Sequence, residues 1–321
     1  MKVTLDLIIT HYDEPFEIVK PLLESIRIQR NVDFNNIKVY IVNDGKDNCI
    51  NPEDCRDYPF SIEFLVAKRL GVSNARNVGF EKGTSDYVMF CDCDDTFYHV
   101  NALNDILQFA ENNYDIIINN FYEEIKRDRV TLSKHHNNEV FIHGKAYNRN
   151  FLINNNLRFN LALTVHEDYY FNKVCMTIAK NIICIDEPLY LWTSRKDSVC
   201  RKYEDYSQRT YVSLINVNDS ILERFVSLGL VNDIIKLVVQ FTYSTFFNLN
   251  TTDWENSKYL KTTELRFKEF FKKYRKYYDV CPISDKREWY NSYRSAAVQK
   301  HGMLFEPITF LEWINKILEV K

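Results

Sequence analysis

The chain has 321 residues, of which 45% are hydrophobic and 26% charged, and its formal net charge is -3. This balance is typical of globular proteins and excludes collagen-like repeats, a largely disordered chain and a small disulfide-stapled scaffold. The absence of a run of eighteen apolar residues argues against a membrane span, and the first ten residues lack the pattern of a signal peptide. We therefore expect a cytoplasmic protein in which the eight dispersed cysteines are reduced.

Apolar runs alternate with helical patterns through the first two hundred residues. The runs predict strands over residues 3–10, 37–42, 62–66, 87–91, 115–119, 182–185 and 189–192. Helical spacing falls between them, over residues 17–29, 73–81, 101–112, 151–156 and 166–180. This order predicts an α/β fold with a mainly parallel, Rossmann-like sheet flanked by helices, in which ligands bind beyond the carboxyl ends of the strands.

The pattern changes near residue 200, where long helical stretches replace the alternation. Helices are predicted over residues 206–228, 231–249, 262–278 and 310–318. We therefore expect a catalytic domain over residues 1–200 and a helical C-terminal region over residues 201–321, which could bind an acceptor or a partner.

Polar residues follow three predicted strands, over residues 10–13, 43–45 and 91–95. Asp92, Asp94 and Asp95 place three carboxylates within four residues, where they repel each other unless a cation is present. Mg²⁺ or Mn²⁺ would accept such oxygen ligands and keep positions for phosphate oxygens. Alternatively, Asp94 or Asp95 could cap the next helix. The pattern alone does not decide between metal binding and helix capping.

Two segments, residues 71–79 and 83–95, together closely resemble the core signature of family 2 glycosyltransferases with the GT-A fold. Residues 8–13 and 39–45 match two further motifs of that family, and the resemblance extends over roughly residues 3–200. It implies a donor that is a nucleotide-diphosphate sugar, with a UDP-sugar favoured, and a Mn²⁺ or Mg²⁺ cofactor.

The resemblance also implies roles for individual residues. Positions that hold the base and ribose of the donor are matched by Thr10, Tyr12 and Asp44, and the loop near the donor is matched by Arg76 and Asn77. Asp92 and Asp94 match the DxD pair, with Asp94 and Asp95 near the metal and the donor phosphates. The chain departs from the family pattern in having Thr10 and Asp13 in place of Pro and Asn, and Asn43 in place of Asp.

A second motif lies at the start of the helix predicted over residues 166–180. Asp168 matches the Asp of the ED motif, which is the catalytic base in inverting members of the family. A carboxylate at a helix start can also simply complement the helix dipole, and this explanation applies to Glu167 and Asp168 together. His166 could orient the base, approach the metal or be structural.

The segment 189–198 resembles the part of the family fold that closes over the diphosphate. The usual Arg after the second aromatic residue is Thr193 here, so Arg195 is the candidate for contacting the phosphates. An exposed loop explains Arg195 equally well.

A basic segment over residues 256–279 carries eight Lys or Arg against three acidic residues, interleaved with aromatic residues. It could bind an anionic membrane surface, so that the protein is peripheral to the membrane, or follow a nucleic acid. The alternative is a helix that buries its aromatic face and solvates its charges.

The acceptor follows only from the resemblance, which favours a glycan of the cell surface. The sequence segments 141–145 and 166–168 also resemble those of phage-encoded transferases, so hydroxymethylated pyrimidines in DNA are the alternative acceptor. A nonenzymatic nucleotide- or DNA-binding protein is a competing class, but the intact Asp92, Asp94 and Asp168 count against it. A Rossmann oxidoreductase is disfavoured, because no G-x-G-x-x-G follows the first strand.

Overall fold

A computed structural model describes residues 2–45, 50–126, 129–195, 205–250, 254, 256–301 and 308–320. The chain divides into two compact units, Met1–Ser198 and Val199–Lys321. The first unit contains all the strands of the described residues, and the second is helical.

The strands of the first unit form one sheet. In the described residues they are β1 (Leu5–His11), β2 (Ile37–Asn43), β3 (Ser61–Val66), β4 (Tyr87–Asp92), β5 (Thr96–Phe97), β6 (Ile116–Lys126), β7 (Val130–His135), β8 (Lys145–Asn148) and β9 (Ile182–Trp192). Their order is β3-β2-β1-β4-β8-β6-β9-β5, and β7 pairs with β6 outside this sequence.

Strand direction decides which chain segments meet at the functional edge of the sheet. β3, β2, β1 and β4 are mutually parallel, as are β6 and β9. β8 runs antiparallel to both β4 and β6, so the segment before β8 lies at the same edge as the carboxyl end of β4. This edge collects the strand ends that the sequence marks as polar.

Helices cover both faces of the sheet. They are α1 (Phe16–Arg27), α2 (Val72–Lys82), α3 (Ala102–Ala110), α4 (Arg149–Asn154) and α5 (Glu167–Ile178). Leu7 and Ile9 of β1 are buried in the same apolar cluster as Leu22 of α1. On the other face α2 lies so close to the sheet that a Cβ on Gly79 would stand 2.5 Å from Cγ2 of Ile8. Burial on both faces explains why the central strands are apolar at nearly every position.

The second unit buries aromatic side chains between helices. It consists of α6 (Tyr206–Arg209), α7 (Tyr211–Ser227), α8 (Val231–Leu249), α9 (Leu260–Val280), α10 (Ile283–His301) and α11 (Phe310–Glu319). Phe267 of α9 packs against Phe241 of α8 and Trp313 of α11, with ring centroids 6.3 and 5.4 Å apart.

The structure confirms most predicted elements and corrects several. The strands predicted over residues 182–185 and 189–192 are one strand, β9, with an irregular register against β6. The helix predicted over residues 206–228 divides at Thr210, and α10 and the short strands β5, β7 and β8 were not predicted. The capping explanation for Asp94 and Asp95 is wrong, because α3 begins at Ala102 with Asn101 at its N-cap.

Candidate functional site

Three parallel strands bring the predicted donor-binding residues together. Thr10 of β1 pairs in register with Val42 of β2 on one side and with Asp92 of β4 on the other. Asp44 follows β2 directly, and its backbone N–H donates to the carbonyl of His11, 2.9 Å away. Thr10, Asp44 and Asp92 therefore line one edge, as expected for strand ends in a parallel sheet.

Asp44 and Tyr12 differ in exposure at this edge. The Asp44 side chain is buried, and its Oδ1 accepts a hydrogen bond from the backbone N–H of Leu70 at 3.1 Å. Burial raises the pKa of Asp44, while backbone N–H groups of residues 69–71 oppose that rise. Tyr12 is 55% exposed, which leaves its ring accessible to a ligand.

The three carboxylates that follow β4 have three different surroundings. Oδ1 of Asp92 pairs with Nη2 of Arg76 at 3.0 Å. Oδ2 of Asp94 pairs with Nη1 of Arg195 at 3.2 Å. Asp95 is fully buried, and its Oδ1 accepts a hydrogen bond from the backbone N–H of Thr193 at 2.9 Å.

His143 lies beside Asp95. Its Nδ1 is 3.4 Å from Oδ2 of Asp95, and both atoms are buried without a hydrogen-bond partner in the described part of the chain. One ligand atom each from Asp92, Asp95 and His143 lie within 4.8 Å of one another. Two carboxylates and an imidazole with unused buried atoms fit a divalent cation such as Mn²⁺.

Burial and neighbouring charges shift the pKa values of Asp92, Asp95 and His143. Burial, with Asp92 and Asp94 nearby, raises the pKa of Asp95 well above its usual value. Burial also acts on Asp92, but the Arg76 guanidinium holds its pKa below the usual value. Burial lowers the pKa of His143 to about 4, so its imidazole is neutral near pH 7 and can act as a ligand.

Arg76 connects the DxD segment with the second motif. It is 4% exposed on α2, and it pairs through Nη2 with Asp92 and through Nη1 with Glu167, the latter at 2.9 Å. Its guanidinium carbon lies 5.1 Å from the ring centroid of Phe159. A buried cation with two carboxylate partners is a rigid bridge, so the ED motif has a fixed place beside the DxD segment.

Asp168 lies in the first turn of α5. His166 precedes the helix in the left-handed conformation, with φ 62°, and the backbone then turns into α5 at Glu167. Burial and the neighbouring Glu167 raise the pKa of Asp168 to about 7. A carboxylate with a pKa near the working pH is suited to general-base chemistry.

Two predicted residues have partners that differ from those expected. Asn77 uses its amide to hold the backbone of Phe159, donating from Nδ2 to the carbonyl at 2.9 Å and accepting at Oδ1 from the N–H at 3.0 Å. Arg195 pairs with Asp94, and its Nη1 also lies 3.8 Å from Oε1 of Glu14. Arg195 therefore lies beside the carboxylates that follow β4, whereas the Asn77 amide holds the backbone at Phe159.

The sequence did not reveal His143 or the role of Glu167 as a partner of Arg76. His143 is distant in sequence from the DxD segment and reaches it only because β8 runs antiparallel beside β4. The available signal was a His-Gly pair before the short strand β8, which is too common a pattern to indicate a metal ligand.

Most of the basic segment lies in α9, and four of its aromatic side chains are buried. Phe267, Phe270, Phe271 and Tyr274 are buried, while Lys273 pairs with Asp219 at 2.6 Å. These buried rings do not offer a surface for stacking on bases.

No helix among the described residues has both the length and the apolar character to cross a membrane.

Comparison with known protein families identifies the first unit. The sequence profile described as Glycosyl transferase family 2 matches residues 6–171, just over half of the chain. The chain belongs to glycosyl transferase family 2. This finding confirms the resemblance noted in the sequence, and the matched range includes the DxD segment, His143 and Asp168.

Relatives of this family 2 member match it over limited lengths. An uncharacterized glycosyltransferase of Rickettsia bellii is 32% identical over 108 residues, 33% of this chain and 15% of the relative. The teichoic acid poly(glycerol phosphate) polymerase of Staphylococcus epidermidis is 38% identical over 95 residues, which are 28% of this chain and 13% of the relative. Glycosyltransferase GlyA of Streptococcus pneumoniae is 23% identical over 233 residues, 64% of this chain and 32% of the relative. The chain thus spans about a third or less of these relatives.

Solved structures confirm the fold. S. aureus TarS in complex with UDP-GlcNAc superposes with a TM-score of 0.54 at 17% identity, covering 91% of this chain and 92% of the other. The mannosyltransferase PcManGT from Pyrobaculum calidifontis, in complex with GDP-Man and Mn²⁺, superposes with a TM-score of 0.51 at 12% identity. This superposition covers 99% of this chain and 85% of the other. The family 2 member therefore has the GT-A fold, a mainly parallel sheet flanked by helices, followed by C-terminal helices.

Proposed function

We propose that this family 2 member transfers a sugar from a nucleotide-diphosphate donor to a hydroxyl of a glycan, with metal support and with inversion at the anomeric carbon. The observation that carries the proposal is the Arg76 bridge between Asp92 and Glu167. It holds the DxD segment and the ED motif in one site, so a donor phosphate and an acceptor hydroxyl can be bound side by side.

Donor binding is assigned to the edge formed by β1, β2 and β4. Thr10, Tyr12 and Asp44 would contact the base and ribose, because they surround the open edge beyond β1 and β2. A UDP-sugar is favoured, since the TarS complexes contain UDP and UDP-GlcNAc, although PcManGT holds GDP-Man. Arg195, which pairs with Asp94, would exchange that partner for a donor phosphate.

The metal is assigned to Asp92, Asp95 and His143, with Asp94 at the side of the site nearest Arg195. When bound, Mn²⁺ or Mg²⁺ would neutralise charge on the diphosphate, and the protein's own cations near the site, Arg76 and Arg195, are already paired with carboxylates. Oδ2 of Asp95 and Nδ1 of His143 are buried without hydrogen-bond partners among the described residues, which costs free energy that a bound metal ion would offset.

Asp168 is proposed as the general base. As a carboxylate it would accept the proton of the acceptor hydroxyl while the hydroxyl oxygen bonds to the anomeric carbon. The bond from that carbon to the diphosphate oxygen breaks in the same step, and the diphosphate leaves with the electron pair. A single displacement of this kind inverts the anomeric configuration.

The acceptor is proposed to be a surface glycan. The support is that a segment of 95 residues is similar to part of the S. epidermidis teichoic acid poly(glycerol phosphate) polymerase, a protein whose name refers to a cell-surface polymer. The buried aromatic face of α9 gives no support to modified DNA, the alternative acceptor.

A donor screen tests the proposal. We expect hydrolysis or transfer from one of the UDP-, GDP- or TDP-sugars in the presence of Mn²⁺ or Mg²⁺, and its loss with EDTA. NMR of the product should show the anomeric configuration opposite to that of the donor. Activity that survives EDTA, or a product with retained configuration, would contradict the metal role or the single displacement, respectively.

A further inference from the structure

A fully buried lysine lies next to the proposed metal group. Lys145, the first residue of β8, is 1% exposed and is the one buried lysine among the described residues. Its Nζ donates to the backbone carbonyls of Phe141 at 2.5 Å and of His143 at 3.5 Å. It forms no salt bridge in the described part of the chain. Burial of an ammonium group is costly, so its presence here calls for a role that a neutral apolar side chain could not fill.

The carbonyls that Lys145 binds belong to the turn over residues 140–144, which side chains hold at nearly every position. Nδ2 of Asn172 donates to the carbonyls of Val140 and Phe141 at 2.8 and 2.9 Å. Nδ2 of Asn119 donates to the carbonyl of Gly144 at 2.9 Å. The carbonyls of residues 140, 141, 143 and 144 are thus all engaged, and such a turn has little freedom to move.

Gly144 allows the turn to lie this close to β6. Its φ is +67°, and a Cβ there would stand 2.9 Å from the carbonyl oxygen of Asn119. The turn is therefore fixed by side-chain hydrogen bonds on one side and by close backbone contact on the other.

This turn presents the His143 imidazole to Asp95. The ring lies against Tyr190 and Trp192, with centroids 5.5 and 5.1 Å apart and interplanar angles of 17° and 30°. Nδ1 has no hydrogen-bond partner among the described residues that could orient the ring. The position of the imidazole therefore depends on the backbone of the turn and on the ring contacts.

We infer that Lys145 and Asn172 are positioning residues, which set the His143 imidazole against Asp95 as a metal ligand by holding the backbone of the 140–144 turn. The inference rests on the proposed function, because it takes Asp92, Asp95 and His143 as the metal group. Asn172 lies one turn after Asp168 on α5. The same hydrogen bonds therefore also tie the helix of the base to the metal group.

The test measures Mn²⁺ binding by the full chain, without any turnover. Lys145→Met keeps the length of the side chain but removes the donor, and we expect the Kd for Mn²⁺ to rise by about 10- to 100-fold, the usual effect of losing a partner that orients a metal ligand. Pulsed electron paramagnetic resonance should show nitrogen hyperfine coupling to bound Mn²⁺ in the wild type and its weakening in the variant. Lys145→Gln retains N–H donors and should recover part of the affinity.

Two further variants keep the inference open to refutation. Lys173→Met, a change at a partly exposed lysine of α5 that pairs with Glu139 at 3.5 Å, serves as the matched control and should leave Mn²⁺ binding unchanged. If Lys145→Met does not fold, Tyr147→Phe removes only the hydroxyl that donates to Oδ1 of Asn172 and should weaken Mn²⁺ binding several-fold.

The outcomes separate this inference from the proposed function. An unchanged Kd in folded Lys145→Met, or in Tyr147→Phe if the former is unfolded, overturns the positioning role. If Asp95→Asn loses Mn²⁺ affinity in the same series, the proposed metal group remains supported although the positioning role is overturned. If Asp95→Asn also binds Mn²⁺ like the wild type, the metal group is wrong, and both this inference and the proposed metal role fall.

Discussion

Two carboxylates at opposite ends of the sheet, Asp6 and Asp95, are both fully buried, but their surroundings differ. Asp6 accepts hydrogen bonds from the backbone N–H and the hydroxyl of Ser85, at 3.0 and 2.6 Å, and pairs with Arg149 at 2.6 Å. Asp95 receives one backbone N–H, and its second oxygen faces His143 without a hydrogen bond in the described chain.

The contrast is between a carboxylate that serves the fold and carboxylates that we propose bind a metal ion. At the amino end of β1 both oxygens of Asp6 have partners among the described residues, so this carboxylate serves the fold. Beyond the carboxyl end of β4 the carboxylates repel each other and keep unused oxygens, a state that a cation would relieve. Mutation of Asp6 should therefore lower the stability of the protein, whereas mutation of the carboxylates beyond β4 should weaken metal binding and sugar transfer.

The largest effect is expected at Asp6. Asp6→Asn should lower the free energy of unfolding by about 3–5 kcal/mol, because it leaves the buried Arg149 guanidinium without its charge partner. Urea unfolding followed by circular dichroism measures the change. Asp54→Asn, at an exposed position, is the control and should stay close to the wild type; an equal loss in both variants would argue against a special role of the buried pair.

Asp95→Asn should show the opposite profile. Its thermal midpoint should equal or exceed that of the wild type, because burial already disfavours the charged form of Asp95. Metal-supported transfer should fall by about 10²- to 10³-fold, the scale of losing one electrostatic stabiliser in a catalytic site. Asp186→Asn, in which the replaced side chain is 90% exposed, should change neither quantity. A clear loss of stability without a loss of transfer would reverse the assignment.

Asp168→Asn should keep donor affinity but lose transfer by about 10²-fold or more, the scale of removing a general base. The raised pKa of Asp168 means that the fold favours its protonated form, so ionisation costs stability as the pH rises through about 7. At pH 8 the neutral variant should therefore be at least as stable as the wild type. A variant that is less stable at pH 8 would instead favour the explanation by helix-dipole complementation.

The pH dependence of wild-type transfer offers a milder test of the same residue. Because the base must be a carboxylate, the rate should fall about tenfold for each pH unit below the Asp168 pKa of about 7 and level off above it. A profile of kcat against pH, with metal and donor saturating, measures this. A flat profile between pH 5 and 8 would contradict Asp168 as the titrating base.

The smallest effect is expected on α9. Lys272→Glu with Lys276→Glu changes two exposed basic residues, and transfer to a glycan acceptor should remain within about twofold of the wild type, as is usual for surface substitutions. Filter binding of duplex DNA at several salt concentrations provides the second measurement. Salt-sensitive DNA binding by the wild type that this double variant abolishes would revive modified DNA as the acceptor.

The sequence by itself determined the parallel part of the fold and half of the site. Strands buried on both faces require continuous apolar runs. The strands β1, β2 and β4 could therefore be recognised in the sequence, together with the polar residues at their ends. Parallel strands end at one edge, which is why the sequence alone predicts that Thr10, Asp44 and Asp92 meet. The ordered motifs also made Asp168 the candidate base, because its neighbours in the chain carry the signal.

The tertiary structure alone decided which groups act on one another across the site. His143 approaches Asp95 because the four-residue strand β8 runs antiparallel beside β4, and so short a strand leaves little periodicity to detect. Arg76 pairs with Asp92 and Glu167, and Arg195 with Asp94, through side chains far apart in sequence. Local patterns record which face of an element is buried, but pairings between distant elements depend on packing. The proposed metal group was therefore visible only in the folded chain.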